Sequence, residues 1–185
     1  MKIGCIVMAA GNSMRFGSNK LLFQVDGQSM IDRALSIIPT EQLYGVTVVT
    51  QYEEVVALAD RYGFHCVRNH HPEWGISHTI SLGIGSMPWA DAAIFLVADQ
   101  PMLTKSSVST LISTYLAHSD QIVALSHNGK RGNPCLFPAE FFPDLLALQG
   151  DVGGSMVIRA HPDRLLLVET GSAELQDIDT THQLP

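Results

Sequence analysis

The chain has 185 residues and a net charge of −7 at pH 7, and this length suits one domain of ordinary size. We therefore expect residues 1–185 to form a single domain. Hydrophobic residues make up 46% of the chain and charged residues 16%, which excludes a disordered polypeptide. The acidic balance argues against binding to nucleic acid, whose phosphates select clusters of Lys and Arg. The first apolar run is too short for a membrane span and has no signal-peptide cleavage site, which favours a cytoplasmic protein that does not bind membranes.

Predicted strands and helices alternate along most of the chain. Residues 2–8 form an apolar, β-favouring run that stops at Ala9-Ala10-Gly11, which predicts a strand followed by a tight loop. Ser29 and Asp32 have the spacing of a capping box, and the helix that they begin ends before Pro39. The pattern then predicts strand 46–49, helix 55–62, strand 64–67, helix 80–87, strand 92–98 and helix 108–115.

This alternation predicts the fold class. Strands that are apolar throughout and that alternate with helices are typical of an α/β protein with a mostly parallel, twisted sheet and helices on both faces. We therefore expect Rossmann-like topology. In the second half, Asn128-Gly129 lies between the β-favouring residues 122–126 and 135–137, which predicts an antiparallel hairpin.

Two polar loops follow predicted strands. They comprise residues 11–20 and residues 99–101. Because open parallel sheets bind ligands beyond the carboxyl ends of their strands, we expect these loops to face each other.

The first loop has the composition of a phosphate-binding loop. Small residues let backbone N–H groups approach phosphate oxygens, and Arg15 and Lys20 can neutralise a triphosphate. The spacing is neither that of a Walker loop nor the G-x-G-x-x-G of a dinucleotide fold. The alternative is an ordinary βα turn with two solvated cations.

Asp99 is the candidate metal ligand. It follows an apolar strand and precedes Gln100-Pro101, so its side chain is expected at the carboxyl edge of the sheet. A carboxylate there can hold Mg²⁺, which shares its oxygen ligands between protein, substrate phosphates and water. The alternative is that Asp99 only caps the turn before Pro101.

The first loop resembles the signature loop of nucleotidyltransferases similar to molybdenum cofactor cytidylyltransferase. The matching positions are Ala9, Ala10, Gly11, Ser13, Arg15, Gly17 and Lys20. The Ala-Ala-Gly start is typical of the cytidylyl branch, whereas guanylyl relatives start with Gly-Gly. The resemblance implies that Arg15 and Lys20 are catalytic groups that hold the β- and γ-phosphates, and that the remaining positions bind the nucleotide.

The resemblance also implies a magnesium site. Residues 96–101 are similar to the metal-binding strand end of that family, and residues 177–180 resemble its closing Asp-x-Asp-Thr element. Asp99 and Asp179 would then be the metal ligands, with Asp99 also catalytic. Asp177 stays an alternative because it would share a strand face with Asp179. Thr181-His182-Gln183 departs from the usual Pro-Glu-Asp continuation.

Later segments match the same family in chain order. Residues 74–80 resemble its nucleotide-recognition loop, which implies that Gly75, Ser77 and Thr79 bind the nucleotide, although His78 stands where a small residue is expected. Residues 131–134 and 150–154 resemble two further elements, the second on the acceptor side. Ser155 there replaces a usual Arg.

The resemblance implies magnesium-dependent transfer of a nucleotidyl group from a nucleoside triphosphate, CTP, to a molybdopterin-type acceptor, with release of pyrophosphate. A molybdenum hydroxylase or its chaperone would be the partner that receives the product. Two alternatives stay open at this point. One is transfer to another phosphorylated acceptor such as a sugar phosphate, and the other is a nucleotide-binding module without turnover.

Overall fold

A computed structural model of the chain describes residues 1–12 and 19–178. The strands are Ile3–Ala9 (β1), Gln24–Val25 (β2), Gln28–Ser29 (β3), Gly45–Thr50 (β4), His65–Arg68 (β5), Ala92–Val97 (β6), Ile122–His127 (β7), Lys130–Pro138 (β8) and Leu165–Glu169 (β9). The α-helices are Met30–Ser36 (α1), Glu53–Arg61 (α2), Ile76–Gly85 (α3), Lys105–Ala117 (α4), Phe142–Leu146 (α5) and Ser155–Ala160 (α6).

Seven of these strands form one sheet in the order β5-β4-β1-β6-β8-β7-β9. The strands β5, β4, β1 and β6 are parallel, and β9 is parallel to β7. The strand β8 lies between β6 and β7 and is antiparallel to both. The two short strands β2 and β3 pair separately. The predicted fold class, a mostly parallel Rossmann-like sheet, is confirmed.

Both faces of the sheet are covered, which explains why its strands are apolar throughout. Along β1, the side chains of Cys5 and Val7 pack in one core cluster, and the intervening Ile6 packs in the other, as alternation along a strand requires. The first cluster receives the apolar faces of α1, α2 and α4, and the second receives those of α3, α5 and α6. The polar loops that follow the parallel strands lie beyond this packing, at the carboxyl edge of the sheet.

The predicted hairpin is formed by β7 and β8. Asn128 and Gly129 connect the strands with φ angles of 50° and 72°, as a two-residue turn of the primed type requires. The pairing of the two strands shifts register between Ala124 and Ser126, which lie opposite Cys135 and Arg131. This irregularity places extra residues in β8, next to the strand end of β6.

Two helix starts test the local signals. Ser29 caps α1, because its side chain accepts a hydrogen bond from the backbone N–H of Asp32 at 3.3 Å, as the capping-box spacing predicted. The predicted start of α3 at residue 80 was wrong, since the helix begins at Ile76. Gly75, with φ of 83°, ends the preceding turn and lets the helix begin earlier. None of the helices in the described residues has the length and apolarity needed to cross a bilayer.

Candidate active site

A cleft of about 500 Å³ opens at the carboxyl edge of the sheet, where β1 and β6 end. It lies where the topology predicted a ligand site. Its lining residues come from the first loop, from the segment before α3, from both strand ends and from one distant loop: Met8, Ala10, Gly11, Asn12, Pro72, Glu73, Gly75, Ile76, Thr79, Val97, Asp99 and Asp151.

Lys20 and Asp99 meet at this edge. The Nζ atom of Lys20 lies 2.8 Å from Oδ2 of Asp99, so the two polar loops face each other as expected. Both side chains are mostly buried, with exposed fractions of 18% for Lys20 and 24% for Asp99. The same Nζ donates to the carbonyl of Ile178 at 3.4 Å. A cation from the first loop is therefore joined to the carboxylate at the strand end of β6.

The start of the first loop is held by the end of β4, which the sequence did not reveal. The hydroxyl of Thr50 donates to the carbonyl of Ala9 at 2.9 Å, and Gln51 Nε2 donates to that of Ala10 at 2.9 Å. The Tyr52 hydroxyl donates to the carbonyl of Gly11 at 2.8 Å. These bonds turn the three carbonyls toward β4. In sequence, these three residues form only the polar end of a strand, so no local pattern reveals their contact with a loop 41 residues away.

The segment before α3 packs directly on the distant loop that contains Asp151. A Cβ added to Gly75 would lie 2.3 Å from the backbone carbon of Gly150, and the backbone N–H of Ser77 donates to the carbonyl of Gly150 at 3.2 Å. Ser77 is buried, whereas Thr79 lines the cleft and its hydroxyl accepts from Asn69 Nδ2 at 3.1 Å. Ser77 and Thr79 were expected to lie ahead of the helix. The structure places both of them inside α3.

A second pocket of about 380 Å³ adjoins the cleft. The two cavities share Met8, Ile76, Val97 and Asp151. Beyond them, the second pocket is lined by four large apolar side chains: Ile80, Phe95, Phe137 and Leu145. Its remaining lining residues are Arg131, Asn133, Cys135, Gly153, Gly154 and Ser155.

Among the described residues, the second pocket is lined by one cationic side chain, Arg131. Arg131 Nη1 donates to the sulfur of Cys135 at 3.6 Å, and burial raises the pKa of the Cys135 thiol, so this side chain is neutral. Ser155 lines the pocket where the family pattern has Arg, but Arg159, one helical turn later, is exposed on α6. Arg131 is therefore the described residue that can offer positive charge in the second pocket.

The C-terminal part of the described chain reaches the same edge. The backbone N–H of Ile178 donates to the carbonyl of Asp99 at 3.0 Å, and Oδ1 of Asp177 accepts from Gln100 Nε2 at 2.8 Å. Four predicted site residues lie outside the described residues: Ser13, Arg15, Gly17 and Asp179. Of the other predicted residues, Ala10, Gly11, Gly75, Thr79 and Asp99 line the cleft, Lys20 contacts Asp99, and Ala9 and Ser77 are buried beside it.

Comparison with known families identifies the chain. Residues 5–165 match the model of the MobA-like NTP transferase domain. The chain belongs to this family. The purine catabolism protein PucB of Bacillus subtilis (strain 168) is similar, with 28% identity over 193 residues, which cover 96% of this chain and 92% of PucB.

Solved structures with the same fold include nucleotidyltransferases. A nucleotidyl transferase from Methanothermobacter has a TM-score of 0.81 and 20% identity, over 96% of this chain and 92% of that one. Rv0371c of Mycobacterium tuberculosis in complex with manganese gives 0.74 and 19%, over 98% and 95%. CMP:2-keto-3-deoxy-manno-octonic acid synthetase complexed with CTP gives 0.74 and 14%, over 98% and 95%. At these identities the likeness shows the fold.

The charge of the cleft fits a divalent cation in this NTP transferase. Glu73, Asp99 and Asp151 line the cleft, and no Lys or Arg does so among the described residues. The pKa of Glu73 is held below its usual range by hydrogen bonds from its own backbone N–H and from His71, so its carboxylate is ionised. A triphosphate carries several negative charges, and a divalent cation between it and these carboxylates would offset their repulsion.

Asp99 lines the cleft and can offer such a cation the carboxylate oxygen that no described residue bonds. Its Oδ2 is bonded to Lys20, while its Oδ1 makes no hydrogen bond to the described part of the chain. The described residues hold no group of three or more His, Cys, Asp and Glu side chains placed for a metal. A site with one or two protein carboxylates, completed by substrate phosphates and water, is what Mg²⁺ commonly adopts.

Proposed function

We propose that this NTP transferase carries out magnesium-dependent transfer of a cytidylyl group from CTP to a phosphate oxygen of a molybdopterin-type acceptor, with release of pyrophosphate. The observation that carries the proposal is the contact between Lys20 and Asp99 beside the cleft. The contact supports the proposal because Lys20, which would bind phosphate, and Asp99, which would hold the metal, lie together where a triphosphate and its metal would have to meet.

The donor nucleotide would lie in the first cleft. Ala9, Ala10, Gly11, Ser13 and Gly17 would follow its phosphates, with Lys20 and Arg15 on the β- and γ-phosphates. Because the carbonyls of Ala9, Ala10 and Gly11 bond to the end of β4, the loop does not turn these acceptors toward the phosphates. Gly75, Ser77 and Thr79 would lie on the nucleoside side of the cleft, where Gly75 and Thr79 line the wall and the Thr79 hydroxyl, which accepts from Asn69, can donate its own hydrogen.

The reaction forms one bond and breaks one. A phosphate oxygen of the acceptor attacks the α-phosphorus of CTP, and the bond from that phosphorus to the bridging oxygen of pyrophosphate breaks. Lys20 and Arg15 stabilise the charge that develops on the leaving pyrophosphate, and the chain orients the two phosphates for in-line attack. An acceptor phosphate is ionised at neutral pH, so no general base is needed.

Asp99 and Asp179 would hold the Mg²⁺, which supplies charge stabilisation at the α-phosphate when bound. Asp177, the alternative ligand, already accepts a hydrogen bond from Gln100. Ile178, the residue before Asp179, is bonded through its backbone to Asp99 and Lys20. These contacts favour Asp179 over Asp177 as the second ligand.

The acceptor would occupy the second pocket. Its apolar walls and Arg131 suit a flat ring system that carries an anionic group. A molybdenum hydroxylase or its chaperone would then receive the product. Ser155, which stands in this pocket in place of the family's Arg, favours a second candidate, transfer to another phosphorylated acceptor such as a sugar phosphate.

A pyrophosphate-release assay tests the proposal. CTP, GTP, ATP and UTP are each combined with Mg²⁺ and with either molybdenum cofactor or a panel of sugar phosphates. We expect release with CTP and molybdenum cofactor, and a loss of about a hundredfold or more in Asp99→Asn, which keeps the shape and removes the charge.

The matched control is Asp91→Asn. Asp91 lies at the other end of β6, where it accepts from the backbone N–H of Lys2, and this variant should retain full activity. Release only with a sugar phosphate would establish the second candidate. CTP binding without release for any acceptor would indicate a nucleotide-binding module without turnover, and would contradict both reactions.

A further inference from the structure

Gln100 is a buried side chain that the proposed chemistry does not use. It follows Asp99 directly and is 3% exposed. Its Nε2 atom donates to the carbonyl of Leu175 at 3.3 Å and to Oδ1 of Asp177 at 2.8 Å. Both partners are acceptors, so the orientation of the amide is set by its contacts. Its Oε1 atom is buried without a hydrogen-bond partner among the described residues.

These contacts attach the C-terminal segment, residues 172–178, to the strand end of β6. The segment contains one short 3-10 helix, Ser172–Leu175, and pairs with no strand of the sheet among the described residues. Its placement near the cleft therefore depends on side-chain hydrogen bonds, on the packing of Leu175 and Ile178, and on the backbone bond from Ile178 to Asp99. A segment without strand pairing can open locally when one of these contacts is lost.

The far end of the segment is anchored by Glu174. Its carboxylate accepts from the backbone N–H of Thr104 at 3.0 Å and from the Thr104 hydroxyl at 2.8 Å. Thr104 is the N-cap of α4. The Glu174 anchor sets where the segment begins, whereas Gln100 acts three residues later, beside the site.

The near end of the segment meets the site itself. Ile178 donates its N–H to the carbonyl of Asp99 and accepts from Lys20 Nζ. The side chain of Ile178 packs with Val25 and Met30 in a small apolar cluster. Gln100 follows Asp99 in the sequence and bonds to Asp177, the residue before Ile178. Gln100 therefore supports the backbone bond between Ile178 and Asp99 from both sides.

We propose that Gln100 is a positioning residue that holds the C-terminal segment against Asp99 and Lys20. It thereby fixes the position of Ile178, which Asp179 follows directly in the sequence. The proposal rests on the proposed function, in which Asp99 and Asp179 share one metal ion. Groups that orient metal ligands without touching the metal commonly change metal affinity by 10- to 100-fold when they are removed.

Gln100→Met tests this proposal, because methionine keeps the length of the side chain and removes both donors. Two quantities are measured in the folded variant. The first is the hydrogen-exchange rate of the Ile178 amide in metal-free protein, and the second is the Kd for Mn²⁺ with CTP present, from electron paramagnetic resonance. We expect exchange at least about tenfold faster and a Kd for Mn²⁺ raised by about 10- to 100-fold. The Kd for CTP without metal should change by less than about twofold, since no role in direct nucleotide binding is assigned to Gln100.

The matched control is Gln121→Met. Gln121 also donates to an aspartate, Asp120, at 3.1 Å. It precedes β7, however, and so lies at the amino ends of the parallel strands, opposite the cleft. This variant should leave both quantities unchanged. If Gln100→Met does not fold, Glu174→Gln replaces it, because this variant weakens the anchor of the segment on Thr104. The Ile178 exchange rate and the Kd for Mn²⁺ are then measured in Glu174→Gln.

The outcomes separate this proposal from the proposed function. Unchanged Ile178 exchange in folded Gln100→Met, or in Glu174→Gln if that variant has to replace it, would overturn the positioning role. Faster exchange with an unchanged Kd for Mn²⁺ would also overturn it, because the segment would then not deliver a metal ligand. If the wild-type protein binds no Mn²⁺ with CTP, the proposed function fails, and the exchange rate of Ile178 alone still decides whether Gln100 holds the segment.

Discussion

Lys20 and Asp99 are 79 positions apart in the chain, and their side chains form an ion pair of 2.8 Å at the carboxyl edge of the sheet. The pair joins the first loop to the strand end of β6 beside the cleft. Among the described residues it engages only Oδ2 of Asp99, whose side chain lines the cleft. Binding of a metal-bound triphosphate would let both partners of the pair act on it, the lysine through the phosphates and the carboxylate through the metal.

Lys20→Met should reduce pyrophosphate release by about 10²- to 10³-fold, which is the usual effect of removing one group that stabilises transition-state charge. Methionine keeps the aliphatic contacts of the lysine, so the melting temperature should change little. Lys105→Met is the matched control, because Lys105 is exposed, pairs with Glu41 and does not line the cleft. Equal rates for Lys20→Met and wild type would contradict the role of Lys20.

Gly75→Ala should impair the junction between the two pockets. The added Cβ would lie 2.3 Å from the backbone of Gly150, and the φ of 83° is strained for alanine. We expect a loss of about 1–3 kcal/mol in the free energy of unfolding, as in other overpacked sites, together with a raised KM for CTP, because Gly75 lines the first cleft. Gly63→Ala has a similar φ of 71° and no neighbouring atom within 4 Å. Urea unfolding of both variants measures the free energy of unfolding that each loses. Gly63→Ala reports the backbone strain alone, so equal losses in the two variants would argue against close packing of Gly75 on Gly150.

Two glycines of α3 should respond to alanine in opposite directions. A Cβ on Gly83 would lie 2.4 Å from Cγ2 of Ile6 in β1, whereas a Cβ on Gly85 meets nothing within 4 Å. Gly83→Ala should therefore destabilise the protein by about 1–3 kcal/mol. Gly85→Ala should stabilise it by about 0.5–1 kcal/mol, because alanine has the higher helix propensity. Thermal unfolding measures both, and stabilisation by Gly83→Ala would mean that α3 does not pack this closely on β1.

Tyr62 should make the protein less stable at alkaline pH. Burial and the hydrogen bond to Asp32 raise its pKa to about 12. A folded-state pKa above the unfolded value of about 10 stabilises the fold fully below pH 10, and this contribution is lost as the pH rises toward 12. Tyr115 and Cys5, with pKa values also raised by burial to about 12, act in the same direction.

Tyr62→Phe should therefore lose about 1 kcal/mol at pH 8 through the missing hydrogen bond. It should also show a shallower decline in unfolding free energy between pH 10 and pH 12. Urea titrations at pH 8, 10 and 11 measure the decline. A slope identical to that of the wild type would show that Tyr62 titrates equally in the folded and unfolded states.

Local patterns were sufficient for much of the fold. The capping box at Ser29, the turn at Asn128-Gly129 and the apolar run of β1 each depend on interactions between residues a few positions apart. Such interactions are encoded in short stretches of sequence. The start of α3 was misplaced because Ser77 and Thr79 resemble loop residues, while burial and the contact with Gly150 hold them in a helix.

The candidate ligand residues and their order along the chain can be recognised from local sequence patterns. Which of these residues contact one another depends on how the distant segments pack. The insertion of β8 between β6 and β7, the contact of Gly75 with Gly150 and the bonds from Gln100 to the C-terminal segment join residues that are distant in the chain. These contacts form because both sheet faces must be packed and buried polar groups must be paired. Both requirements involve the whole fold, so no short stretch of sequence predicts them.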